Sequence, residues 1–92
     1  MTMTLKELQR KLDTIKIYDE GLEEFVRLGA EKDGENYNIY YYIPEYQIVK
    51  IPSFIRGAID SSFQGFEALS EEQQRKVLGW AIEFSLTAEK DR

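Results

Sequence analysis

The residues that could do chemistry in this 92-residue chain are carboxylates and tyrosines, because cysteine and histidine are both absent. Without them the chain has no thiol nucleophile, no imidazole acid or base, and no Cys or His ligand for zinc. It also contains neither G-x-x-x-x-G-K-[ST] nor G-x-G-x-x-G, the glycine-rich strings that hold phosphates. We therefore expect a protein that is not an enzyme and that binds no metal or cofactor.

Negative charge is concentrated in one segment. The whole chain has a formal charge of −5, and residues 19–35 alone hold seven acidic against two basic residues, which is also −5. Such a segment repels nucleic acid, because phosphate binding needs clustered lysine and arginine. Two interpretations stay open: the acidic segment only keeps a small protein soluble, or it forms a surface for a basic partner.

The run Tyr40-Tyr41-Tyr42 is the most specific feature of the sequence. Tyrosine buries a large area at low entropic cost and is enriched at protein interfaces, although ordinary sheet packing would also explain the run. If a partner binds here, we expect it to be a protein with a basic surface. The expected contact residues are six carboxylates and two tyrosines: Asp19, Glu20, Glu23, Glu24, Asp33, Glu35, Tyr40 and Tyr42.

Strand patterns dominate the middle of the chain. Tyr37–Ile43 is dense in residues that favour a pleated surface, and Gln47–Ile51 alternates until Pro52 ends it. A turn at Pro44-Glu45 makes these two strands a hairpin. Strict alternation then predicts that one face of the first strand carries Tyr37, Ile39, Tyr41 and Ile43.

The segments around this hairpin are less regular. Lys32–Glu35 has the composition of a turn, and Arg56–Ser62 fits a third strand. Residues 15–30 satisfy a helix template and a hairpin template equally well. Gly21 would serve the turn of a hairpin and Gly29 would weaken a helix, so the two glycines favour strands slightly.

Two helices are predicted, one at each end of the chain. Thr4 with Glu7 forms a capping-box pattern before an apolar stripe, and Ser70 with Gln73 repeats that pattern before a helix that should run to about Thr87. The second helix is apolar on more than one side. Either it is sandwiched within the fold, or Trp80 and Phe84 anchor a possible homodimer.

These elements predict a single α+β domain over residues 1–92. It has an N-terminal helix, a small antiparallel β-meander and a long C-terminal helix packed on the sheet. The sequence shows neither a basic-then-apolar leader nor an apolar run of about 18 residues. We therefore expect a cytoplasmic protein that does not enter a membrane.

The last third of the chain contains Phe66-x-x-Leu69, then Ser70-Glu71-Glu72-Gln73, and finally Thr87 and Arg92. In these residues it resembles the ending of small uncharacterised proteins encoded by phages and prophages of Gram-positive bacteria. Ala88 departs from the pattern, because those proteins commonly have a proline at this position after the threonine. The resemblance implies an accessory role in a host bacterial cell, where small acidic phage proteins include anti-CRISPR inhibitors that occupy a nuclease's DNA-binding surface. A self-associating structural or regulatory phage protein is the alternative.

Overall fold

Three helices and five strands occur within residues 2–42, 47–52, 57–88 and 91–92, the residues that the computed structural model describes. The helices are α1 (Leu5–Leu12), α2 (Gln64–Glu67) and α3 (Glu71–Leu86). The strands are β1 (Ile17–Asp19), β2 (Glu24–Val26), β3 (Leu28–Asp33), β4 (Asn36–Tyr41) and β5 (Gln47–Pro52). None of the described helices is long and apolar enough to cross a bilayer. The predicted α+β class is confirmed.

The strands form two separate antiparallel sheets. β1 pairs with β2, while β3, β4 and β5 follow one another as a meander. The predicted hairpin of β4 and β5 is confirmed, and residues 15–30 contain a hairpin with Gly21 in its turn rather than a helix. Ile43 and the predicted turn at Pro44-Glu45 lie outside the described residues.

β3 is a strand that the sequence pattern did not indicate. Lys32 and Asp33 belong to it rather than to the predicted turn, which shortens the loop before β4 to Gly34-Glu35. Gly34 has a φ of 60°, a conformation that glycine adopts without steric cost and that two-residue hairpin loops demand. The pairing of Asp33 with Asn36 closes the loop.

Side chains of β4 alternate between the two faces of the meander as predicted. Tyr37, Ile39 and Tyr41 are buried on one face, which we call the inner face. Asn38 and Tyr40 are only half-buried and point to the other side, the outer face. The period-2 pattern of a strand therefore decides which tyrosines enter the core.

The prediction of a strand over Arg56–Ser62 is wrong for the part of that range that is described. Between residues 57 and 62, the described backbone meets the sheet only through an isolated bridge from Asp60 to Lys50. The Asp60 Oδ1 atom accepts hydrogen bonds from the Ser62 N–H at 3.0 Å and from the Ser62 hydroxyl at 2.7 Å. These local bonds turn the backbone away from the ladder, and they hold the pKa of Asp60 below its usual value.

α1 and α3 begin at the predicted caps and cover the inner face. Thr4 accepts a hydrogen bond from the Glu7 N–H at 3.1 Å, and Ser70 with Gln73 forms a reciprocal capping box. The fully buried side chains of both helices join those of the inner face in one hydrophobic cluster. These side chains are Leu8, Leu12, Ile39, Ile48, Val49, Ile51, Val77, Ala81 and Phe84.

Two polar side chains tie distant parts of the backbone to this core. The Gln9 amide donates to the Leu28 carbonyl at 3.0 Å and accepts from the Ala30 N–H at 2.9 Å. It completes the edge of β3 as a further strand would. The Thr87 hydroxyl accepts a hydrogen bond from the Met3 N–H at 2.9 Å, so the segment after α3 is joined to the segment before α1.

Candidate protein-binding surface

The β1–β2 hairpin has one face on the core and one face in solvent. Ile17 and Val26 form a cross-strand pair that packs against the core. Tyr18 and Phe25 form the next pair, so their side chains point to the opposite face. Their rings meet edge to face with centroids 5.4 Å apart, yet the two residues stay 53% and 62% exposed. The hairpin thus presents an aromatic pair that the described chain does not cover.

The β1–β2 hairpin carries most of the predicted acidic residues. Glu20, Glu23 and Glu24 are exposed. Asp19 is half-buried, and its Oδ1 atom accepts a hydrogen bond from the Leu22 N–H at 3.0 Å, so this carboxylate shapes the turn. Glu23 has a φ of 55°, a left-handed conformation that costs a residue with a Cβ about 1–2 kcal/mol.

Tyr42 lies where the hairpin meets the meander. Its N–H donates to the Arg27 carbonyl at 3.1 Å, and the Arg27 guanidinium carbon lies 5.5 Å from the centroid of its ring. These contacts place Tyr42 at a groove of about 270 Å³ along the hairpin, which we call the hairpin groove. The groove is lined by Leu22, Glu24, Phe25, Val26, Arg27 and Tyr42.

A second groove, of about 380 Å³, lies on the outer face of the meander. Its lining is Glu31, Asp33, Asn38, Tyr40 and Gln47, and we call it the sheet groove. The Tyr40 ring lies over β3 at Gly29, where an added Cβ would come within 2.9 Å of the phenol atoms. Glycine at this position therefore lets the tyrosine approach the strand.

Tyr40 and Tyr42 connect the two grooves. Their rings meet edge to face with centroids 5.8 Å apart. Partial burial raises the pKa of Tyr40 above its usual value, and the negative charge of Glu31 and the neighbouring Tyr42 raise it further. The Tyr40 hydroxyl is consequently harder to deprotonate than that of a free tyrosine.

The structure brings some of the predicted partner-binding residues together and leaves others apart. Glu24 and Tyr42 line the hairpin groove, and Asp33 and Tyr40 line the sheet groove. Glu35 is exposed in the loop between β3 and β4 and lines neither of these grooves. Asp19, Glu20 and Glu23 lie on the hairpin but also line neither groove. Half of the predicted set therefore lines two grooves that are joined by the tyrosine pair, and the other half lies outside them.

The sequence analysis missed the apolar residues of this surface, Tyr18, Leu22 and Phe25. A signal for them existed, because Tyr18 and Phe25 lie at equal distances from the centre of the turn around Gly21 and must face each other in a hairpin. This signal applies only if residues 15–30 form a hairpin, and a helix template fits the same residues equally well. Glu31 was counted in the charge of the acidic segment but was not selected as a contact residue.

The two predicted dimer anchors differ in burial, and only Phe84 is excluded from the surface. Phe84 is fully buried and packs edge to face on Tyr37 with centroids 4.9 Å apart. Trp80 is half-buried against the core. The large apolar residues that α3 does expose are Ile82 and Leu86. The prediction that Phe84 anchors a dimer is wrong, since Phe84 is a core residue. A helical wheel shows that α3 is apolar on several sides, but it does not show which side the sheet covers.

No three acidic side chains within the described ranges come together in a way that could hold a metal ion. Comparisons of the chain with protein-family models, with curated proteins and with solved structures found no match. The function proposed below therefore depends on the geometry and charge of the two grooves.

Proposed function

We propose that this chain is a non-enzymatic binding protein that docks onto a basic surface of a host protein. One observation supports this: the exposed rings of Tyr18, Phe25 and Tyr42 and the half-buried ring of Tyr40 run across both grooves. Single exposed apolar residues are common on proteins, whereas contiguous ones mark interaction sites. We call this continuous region, with the residues that line the hairpin groove and the sheet groove, the acidic aromatic surface.

Charge complementarity indicates the kind of partner. Residues 17–26 contain four carboxylates and no lysine or arginine, and the sheet groove adds Glu31 and Asp33. Such a concentration of negative charge speeds the encounter with a basic surface, and aromatic rings then supply the anchoring contact area. The same charge disfavours direct binding to nucleic acid.

The finer part of the proposal is that the partner is inhibited. A protein that covers the lysines and arginines by which a host protein contacts phosphates would block its binding to nucleic acid. An anti-CRISPR type of inhibition and a phage origin fit this mode of action. Their support is the resemblance of the last third of the chain to phage-encoded proteins.

Self-association, as a structural or regulatory phage protein, is the second candidate function. Ile82 and Leu86 are exposed and lie four residues apart on α3, so they share one face of the helix. A symmetric dimer through α3 would cover both residues. A symmetric dimer through the hairpin is disfavoured, because it would bring the acidic turns of two copies together.

The test is capture from the lysate of a Gram-positive host that expresses CRISPR nucleases. We expect the wild-type chain to retain a basic protein at low salt and to release it at about 0.5 M salt, where exposed ionic contacts are screened. Glu23→Lys/Glu24→Lys should abolish capture. Glu67→Lys/Glu72→Lys is the matched control. It changes the net charge of the chain by the same amount, but on α2 and α3 and away from the hairpin, so it should leave capture intact.

Two results would contradict the proposal. Capture that survives both high salt and the reversal of Glu23 and Glu24 would show that the acidic aromatic surface is not the binding site. Recovery of the chain alone, together with a dimeric mass in light scattering that Leu86→Glu reduces to a monomeric one, would favour self-association.

A further inference from the structure

We infer that the hairpin groove binds an arginine side chain of the partner in preference to a lysine. The inference rests on the proposed function and narrows the partner's basic surface to one that presents arginine. It has two bases. The groove combines aromatic rings with a carboxylate, and an arginine of the chain itself already contacts one ring and one carboxylate on this surface.

The chemistry of the groove suits a planar cation. Phe25 and Tyr42 contribute aromatic rings to it, and Glu24 contributes a carboxylate. Arg27 of the chain itself also lines the groove, with its guanidinium over the Tyr42 ring, so Phe25 is the ring that an incoming cation can use. A guanidinium group stacks on a ring while its N–H groups pair with a carboxylate, and it is weakly hydrated. An ammonium group is compact and strongly hydrated, so lysine gains mainly the ionic contact. The groove therefore offers arginine more than it offers lysine.

Arg27 demonstrates this mode of binding on the same surface. Its guanidinium carbon lies 5.5 Å from the centroid of the Tyr42 ring, and its Nη2 atom lies 3.3 Å from Asp13 Oδ1. The Arg27 side chain stays 68% exposed, so a ring and a carboxylate position it without burial. In the part of the chain that the structure describes, the cations that lie over rings contact Tyr37, Tyr42 and Phe84. Among the described residues no cation lies over the Phe25 ring, so this ring of the groove is open to a partner.

The occupant that fits is a basic polypeptide. A volume of about 270 Å³ is at the lower limit of small-molecule pockets, which measure about 300–1,000 Å³, so the groove suits one side chain of a larger molecule. A second copy of this chain would oppose its own four hairpin carboxylates, and a nucleic acid would oppose its phosphates. Only a basic segment is complementary in charge.

The experiment compares two fluorescent peptides of the same length and charge, one with arginine and one with lysine at every basic position. Fluorescence anisotropy with the full chain at low salt gives both dissociation constants. We expect the arginine peptide to bind about three- to tenfold more tightly. Glu23→Lys/Glu24→Lys should weaken both peptides, because both depend on the carboxylates.

Variants of the rings separate stacking from charge. Phe25→Leu/Tyr42→Leu keeps apolar side chains in the groove but removes both rings, and it should reduce the preference for arginine to less than about twofold. Tyr42→Phe keeps the ring and should keep the preference. Circular dichroism should be the same for all these variants, since Phe25 and Tyr42 are exposed.

The outcomes distinguish this inference from the proposed function. Equal binding of both peptides, with both weakened by the charge reversal, would overturn the preference for arginine and leave the proposed function standing. A preference that survives in Phe25→Leu/Tyr42→Leu would show that arginine binds elsewhere. Failure of both peptides to bind would also overturn the inference, and the proposed function would fall with it only if lysate capture fails as well.

Discussion

The two faces of the meander use tyrosine in opposite ways. On the inner face, Tyr37 packs on the buried ring of Phe84, and the Tyr41 hydroxyl donates a hydrogen bond to the Gly65 carbonyl at 3.0 Å. On the outer side, Tyr40 and Tyr42 contact each other and line grooves that are open to solvent. The four residues come from one short stretch of sequence, so their position in the strand, and not their type, decides their role.

This difference separates stability from binding. The inner tyrosines lose their accessible surface to the fold, and the Tyr41 hydroxyl is hydrogen-bonded inside it, so the energy of burial already stabilises the native state. Tyr42 and the two hairpin rings stay exposed, and Tyr40 keeps a smaller part of its surface in water. That surface can stabilise a complex, because a partner that binds there removes it from water.

The largest effect is expected from replacing a ring of the core. Phe84→Ala should lower the free energy of unfolding by about 3–5 kcal/mol, the usual cost of removing a buried phenylalanine. Phe25→Ala, its counterpart on the exposed hairpin, removes only a cross-strand contact with Tyr18 and should lower it by about 1 kcal/mol or less. Urea denaturation followed by tryptophan fluorescence measures both. Similar losses in the two variants would break the comparison, because the hairpin rings would then belong to the core.

The parts of the fold that could be predicted are those with local causes. The capping residues Thr4 and Ser70 hydrogen-bond within one turn of helix, and the alternation of β4 follows from strand geometry. β3 could not be predicted, since Leu28–Asp33 is rich in residues that are depleted in strands. Its conformation is imposed by pairing with β4 and by the Gln9 amide on its edge.

The candidate site was predictable only in part for the same reason. Its charge could be read directly, because acidic residues cluster along the chain. The junction of Tyr42 with the hairpin could not, since it depends on a hydrogen bond from Tyr42 to Arg27, fifteen residues earlier. Phe84 was placed on a dimer surface because the sequence does not show how much of α3 the sheet and α1 cover.

A smaller effect should follow from removing one hydroxyl on each side of the sheet. Tyr41→Phe deprives the buried Gly65 carbonyl of its hydrogen-bond donor and should lower the free energy of unfolding by about 1–3 kcal/mol. Tyr42→Phe removes a hydroxyl from an exposed ring and should lower it by less than about 0.5 kcal/mol. Thermal denaturation of the two variants measures the difference. Equal values would mean that water or a rearranged backbone replaces the Tyr41 bond.

The smallest effect concerns the turn of the hairpin and has the opposite sign. Glu23 is the one non-glycine residue with a positive φ among those described. Glu23→Gly should relieve about 1–2 kcal/mol of strain, of which glycine's greater freedom in the unfolded chain takes back about 0.5–1 kcal/mol. A net gain of up to about 1.5 kcal/mol is expected in urea denaturation.

Glu20→Gly is the matched control, because it removes a carboxylate from the same turn at a residue without a positive φ. It should lose about 0.5–1 kcal/mol through chain entropy alone. If Glu23→Gly is more stable than Glu20→Gly, the hairpin turn holds a carboxylate in a strained backbone conformation. The inner face has no such residue among those described. Equal losses in the two variants would remove strain from the comparison and leave exposure as the only difference between the two regions.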